Sequence, residues 1–156
     1  MRNFSPGLFD RLAEPEPVPA NRQQARAQAQ QRCRDSITRD LVALLNTRSA
    51  LQADALQPWP AVRSSVLTYG LIDFAGMCMT SDTDQQQICR AVKLAIERHE
   101  PRLHKVDVTL RRGKDSINRV AFAITAELKG AIDGEPMAFD AVFRPSLQQY
   151  SIENVC

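Results

Sequence analysis

Both histidines of the chain fall in one short stretch, His99-Glu100-Pro101-Arg102-Leu103-His104. Imidazole, carboxylate and guanidinium groups in one place suggest metal binding, proton transfer or anion recognition. Zinc hydrolysis of the H-E-x-x-H kind needs two histidines four apart on one helical face. Here the spacing is five, and Pro101 stands between the two rings. Proline has no amide donor and clashes with the preceding turn, so a helix stops before it. The two histidines are thereby expected on different elements, and no metal ligand set is assigned. What remains is a charged corner at a helix end, suited to holding another protein.

Other chemistries fare no better. A glycosidase needs two carboxyl groups facing each other across a cleft, one with a raised pKa. Glu97 and Glu100 are instead three apart on one helix, the usual spacing of solvated neighbours. Aromatic residues are only 6% of the chain, few for stacking on sugars or bases. No nucleophile-elbow pattern accompanies His99 or His104, and Gly70 and Gly76 form no phosphate-cradling loop. The cysteines (Cys33, Cys78, Cys89 and Cys156) show no C-x-x-C pairing, so free thiols are expected. Catalytic residues, cofactors and metals are therefore all assigned as none.

Composition sets the frame for positioning the corner. At 156 residues and 44% hydrophobic, the chain can bury one real core. A net charge of +2 is too weak to imply nucleic acid or an anionic membrane. Among its 20 cationic residues only Lys93, Lys105, Lys114 and Lys129 are lysine. Arginine, with its rigid fork of donors, favours protein interfaces. Residues 90–114 carry eight cations against three anions, and residues 115–156 three against six, a polarity suited to docking. No stretch reads as a signal peptide or membrane span, so a cytoplasmic protein is expected.

Residues 1–20, with Pro6, Pro15, Pro17 and Pro19, read as an extended tail carrying one apolar motif, Leu8-Phe9-Asp10-Arg11-Leu12. Residues 21–156 read as a single domain. Asn21–Gln31 is a solvated helical lead-in, and Ile37, Leu41, Leu44 and Leu45 form the apolar face of a core helix. That helix starts at Asp35 or Ser36, or continues unbroken from Arg22, and Asn46 is a plausible left-handed stop. Gln57-Pro58-Trp59-Pro60 excludes regular helix, and residues 66–76 read as a compact, packed loop with one helical turn. Thr83 and Gln86 form a capping box for a second helix with Ile88, Val92, Ala95 and Ile96 on one face.

Alternating strands then occupy Lys105–Arg112, Ile117–Leu128 and Met137–Arg144, with a short fourth near Gln149–Val155. The class is α+β: a small antiparallel sheet of three to four strands packed on two main helices, after an extended N-terminal segment.

Three stretches, in order and spacing, carry a resemblance: Leu44-Leu45-Asn46-Thr47-Arg48, Val66-Leu67-Thr68-Tyr69-Gly70-Leu71-Ile72-Asp73-Phe74, and Glu100-Pro101-Arg102-Leu103. Together with the Leu8–Leu12 opening they resemble the TssE family. Its members are baseplate subunits of the bacterial type VI secretion system, similar to the lysozyme-like wedge protein of contractile phage baseplates. The chain departs from the pattern at Ile72, where the family often has proline.

The resemblance implies a structural protein at the cytoplasmic face of the inner membrane, with no direct membrane insertion and no nucleic acid. It implies contacts with the wedge proteins TssF and TssG and with TssK, and a part in starting the sheath of TssB and TssC. The expected partner-binding residues are Glu100, Pro101, Arg102 and Leu103, with Leu8 and Phe9. Pro101 is expected to fix the exit angle so that Arg102 projects for docking. The alternative is an internal Glu100–Arg102 contact that only stiffens the corner. Two rival functions are a peptidoglycan hydrolase and a stress-response anti-adaptor sharing this fold.

Overall fold

The computed structural model describes residues 12, 21–49, 51, 56–74, 77, 81–112, 120–129, 136–144 and 149–155. Leu8, Phe9 and the rest of the tail other than Leu12 lie outside them, as do residues 113–119 between the first two strands. Helix α1 (Arg22–Asn46) is unbroken. Its cap is Asn21, whose side chain accepts the Gln24 amide at 2.8 Å. Ile37, Leu41, Leu44 and Leu45 are buried as their spacing requires. Asn46 does not adopt the left-handed cap expected of it. The chain instead leaves through an extended Thr47, with φ −93° and ψ 137°. The Asn46 amide turns to the sheet, donating to the Tyr150 carbonyl at 2.9 Å and accepting the Tyr150 amide at 2.7 Å.

Helix α2 (Asp82–His99) begins two residues earlier than the Thr83 capping box predicted. Ser81 is the cap, with its hydroxyl facing the Asp84 amide at 3.4 Å. The earlier start places Asp82 and Asp84 in the first turn, where the helix dipole favours anions. Arg98 and His99 occupy the last turn, where it favours cations. Ile88, Val92, Ala95 and Ile96 face inward.

Four antiparallel strands follow in sequential order: β1 (Leu103–Arg112), β2 (Val120–Leu128), β3 (Pro136–Arg144) and β4 (Gln149–Val155). One face of the sheet packs on the helices through Val106, Val108, Phe122, Ile124, Met137, Phe139 and Ala141. Leu103 and Val106 are both buried although three apart, which simple alternation forbids. A register shift between His104 and Asp107 reconciles them. Lys105 takes a left-handed φ of 50° there and points to solvent. No helix among the described residues is long and apolar enough to cross a membrane.

Between the helices run two 3-10 turns, Pro60–Ser64 and Val66–Thr68. The segment is pinned to the end of α1: Ser49 donates to the Leu71 carbonyl and Leu71 to the Thr47 carbonyl, both at 2.8 Å. Gly70 makes this approach possible. Its φ is +111°, and a Cβ there would sit 2.5 Å from the Thr47 carbonyl oxygen. The loop is therefore packed at Thr68, Gly70, Leu71 and Phe74. It is not packed throughout, as the apolar run suggested, because Val66 and Leu67 are 83% and 56% exposed. Gly70→Ala combines backbone strain with a main-chain clash, so it should cost about 2–4 kcal/mol of stability. A urea titration of the two proteins checks this, and a loss below about 1 kcal/mol contradicts the close approach.

Candidate functional site

The corner is built by a helix that stops and a side chain that turns back. Glu100 closes α2 by donating its amide to the Ile96 carbonyl at 2.8 Å. Pro101 cannot continue the ladder and lies exposed at the apex. The Leu103 amide returns to the Glu100 carbonyl at 3.1 Å, and the Lys129 amide holds the Arg102 carbonyl at 2.8 Å. The turn is thus tied to its own helix and to the end of β2. Leu103, 2% exposed, is a core anchor beneath it.

Arg102 does not project outward as the sequence suggested. Its guanidinium folds back over α1. Nε and Nη2 donate to the two Glu100 carboxylate oxygens at 2.6 and 2.5 Å, a bidentate fork. Nη1 donates to the Ser36 hydroxyl at 3.0 Å, and Nη2 also reaches Asp40 Oδ2. Glu100 accepts the Arg102 amide as well, at 3.2 Å. The internal Glu100–Arg102 contact, weighed above as an alternative, is thus present. Sequence reasoning missed Ser36 and Asp40, which lie more than 60 positions upstream. Their i, i+4 spacing on α1 was the available signal, with Asp40 as the unassigned carboxylate.

Burial decides what each contact contributes. The Glu100 side chain is 4% exposed and that of Arg102 23%, so their attraction is little screened. Hydrogen bonding to Glu100 is the largest cause holding the Arg102 proton above its already high affinity. The Asp40 side chain is 56% exposed, so its pairing contributes about 0–1 kcal/mol.

The two histidines face different elements, as Pro101 requires. His99 Nε2 donates to the Thr68 carbonyl at 3.0 Å, and the ring meets Tyr69 edge-on with centroids 5.3 Å apart. It therefore locks the loop to the corner. His104 lies 3.3 Å from Glu127 on β2, and its Nδ1 is buried with no partner among the described residues. Glu97 is exposed while Glu100 is buried and bonded, so the two carboxylates do not share a cleft. Among the described residues no group of three or more His, Cys, Asp or Glu could hold a metal ion. The charge polarity of the sequence is partly cancelled across the sheet. Lys105 pairs with Glu127 at 2.9 Å and Arg111 with Asp140 at 3.6 Å.

The corner is therefore a rigid, ion-paired elbow on a small α+β scaffold. The chain belongs to the family of the baseplate wedge protein gp25, whose family model matches residues 31–131. That span holds Ser36, Asp40, the 3-10 loop and the whole corner. None of the curated proteins compared with the chain matches it.

Two outcomes follow. Arg102→Ala strands the Glu100 carboxylate in the interior. It should cost about 3–5 kcal/mol, and Arg102→Lys should recover only part of that because an ammonium cannot fork. Thermal melts of the three proteins check the order. Second, burial, the largest cause, pushes the Cys33 thiol above its ordinary pKa, Arg102 opposes and Glu100 assists. A thiol raised in the folded state stabilises below its unfolded pKa and loses that contribution as pH rises. Unfolding free energy should therefore fall from about pH 8.5 upward, less steeply in Cys33→Ala. Equal slopes in the two proteins contradict this.

Proposed function

We propose that the chain is a structural baseplate component of a bacterial type VI secretion system. It binds the TssF and TssG wedge proteins, lies near TssK, and helps to start polymerisation of the sheath formed by TssB and TssC. Its place is the cytoplasmic face of the inner membrane, without insertion. Residues 21–156 act as one wedge domain, and residues 1–20 as a tail whose Leu8 and Phe9 engage a partner. The observation that carries the reading is the match of residues 31–131 to a baseplate wedge family.

Within this reading the corner acts as a unit. Pro101 offers exposed surface, and Glu100 and Leu103 hold its shape from below. Arg102 contributes the edge of its guanidinium, since the second Nη1–H has no acceptor among the described residues. Sheath initiation proceeds by strand addition at an open sheet edge. At β4 the Tyr150 amide and carbonyl are already taken by Asn46. The β1 edge keeps an unbroken register with β2 from Asp107 to Arg112, with the Leu110 main chain engaged by Cys89 of α2.

The protein performs no catalysis in this role. Co-expressed TssF and TssG should retain the chain through affinity purification, and micromolar protein should release nothing soluble from purified peptidoglycan. A chain that the TssF–TssG pair does not retain, or one that turns over cell wall, overturns the reading.

A further inference from the structure

Helix α1 begins well before the part of it that is packed. Its buried residues start at Cys33, so the turns from Arg22 to Arg32 contain no buried residue and extend for about 16 Å. This arm is made of arginine, glutamine and alanine alone. The three types are not mixed around the helix. Arg26 and Arg22 lie two and three turns before Cys33, on the stripe that Cys33, Ile37 and Leu44 bury in the core. Ala25 and Ala29 lie beside that stripe, and Gln24, Gln28 and Gln31 lie opposite it. The packing face of α1 therefore carries on past its last buried residue, with arginine and alanine in place of large apolar side chains.

The helix itself disfavours these arginines. Its N-terminal turns carry partial positive charge, which α2 answers with Asp82 and Asp84. Helix α1 has no acid in its first turn and places Arg22 there. Residues 22–34 hold four arginines and no carboxylate. Arg22 and Arg26 are exposed, and no side chain among the described residues pairs with them. The charges around the arm do not reverse its sign. From Arg22 to Asp40 and from Glu97 to Arg102, with Lys129 added and Arg39 and Arg98 included, there are eight cations and four anions. A local preference broken with no gain inside the subunit marks a functional position.

The arm leaves directly from the corner, since Ser36, which accepts from Arg102 at 3.0 Å, is one turn after Cys33. Its composition selects the occupant. A membrane surface needs large apolar side chains to insert, and the arm has none. Single-stranded nucleic acid needs stacking aromatics, which the arm also lacks. Carboxylates match the arginine fork, and alanines between the arginines let a second helix come close.

We propose that the Arg22–Arg26 face of α1 is a docking arm whose occupant is an acidic helix of a baseplate neighbour. The arm rests on the baseplate reading above and adds the chemistry of the partner to it. The partner's carboxylates, one turn apart, pair with Arg22 and Arg26 and relieve the repulsion between those arginines and the start of their own helix.

The test measures affinity of the full-length chain for the purified TssF–TssG complex at low and high salt. Arg22→Gln with Arg26→Gln should weaken binding by about tenfold or more at low salt, and by less as salt rises. Gln24→Glu with Gln28→Glu changes the net charge equally on the opposite side and should weaken it far less. The arginine variant keeps helix propensity and removes charge that opposes the dipole, so its melting temperature should hold or rise.

Unchanged affinity in the arginine variant, or an equal loss in the glutamine variant, overturns the arm and leaves the baseplate reading standing. A lowered melting temperature in the arginine variant means that the chain's own acids, such as Glu14 and Glu16, hold the arginines, and the proposal fails. Binding of duplex DNA that the arginine variant abolishes assigns the arm to nucleic acid and overturns it too. Absence of wild-type binding to the complex removes the reading and the arm with it.

Discussion

A guanidinium held between two carboxylates from different parts of the chain fixes how the first helix meets the helix–strand corner. Arg102 reaches Glu100 in its own turn and Ser36 and Asp40 on α1. Apolar packing alone would hold α1 on the sheet but leave its rotation and sliding weakly specified, because hydrophobic contacts have little directionality. The forked donors of arginine have fixed geometry, so they set the position of α1 to within a hydrogen bond. Asn46 performs the matching task at the far end of the helix, where its amide pairs with Tyr150 like a short piece of strand. One polar tie near the middle and one at the end register a helix whose apolar face supplies most of the burial energy.

This arrangement explains why a proline at the apex is useful to the structure. The residue there must end α2, leave Glu100 close enough to bond Arg102, and send the chain into β1 without an amide that needs a partner. Pro101 meets all three needs because its missing donor is no loss at an exposed turn. The local bonds from Leu103 and Lys129 then make the turn stiff. Stiffness is the property a docking element needs, since a surface ordered before contact loses less entropy on binding.

The elements were largely legible in the sequence, and the reasons differ by element. Periodicity gave the inward faces of both helices and of the strands, because burial imposes a strict geometric repeat. It failed locally where one residue breaks the repeat. The bulge around Lys105 lets Leu103 and Val106 share a face, and nothing in the alternation announces it. The cap of α2 was misplaced from Ser81 to Thr83 because both residues offer a hydroxyl at a plausible spacing. The corner was located correctly, but the direction of Arg102 was not. Its acceptors Ser36 and Asp40 come from a helix far away in sequence, and no local pattern encodes such a contact. The exposure of Val66 and Leu67 was hidden for the same reason, since an apolar run reads as core until its supports are known.

Charge gives the last step. Counted along the chain, residues 90–114 look like a cationic surface facing an acidic C-terminal third. Folding brings those halves together, so that Lys105 of β1 meets Glu127 of the neighbouring β2, and Arg111 of β1 reaches over β2 to Asp140 of β3. Arg102 is neutralised more completely, because two carboxylates surround it. The basic character legible in the sequence is therefore partly consumed inside the subunit. Residue types counted along the chain therefore overstate the charge that the folded subunit leaves unpaired at its surface.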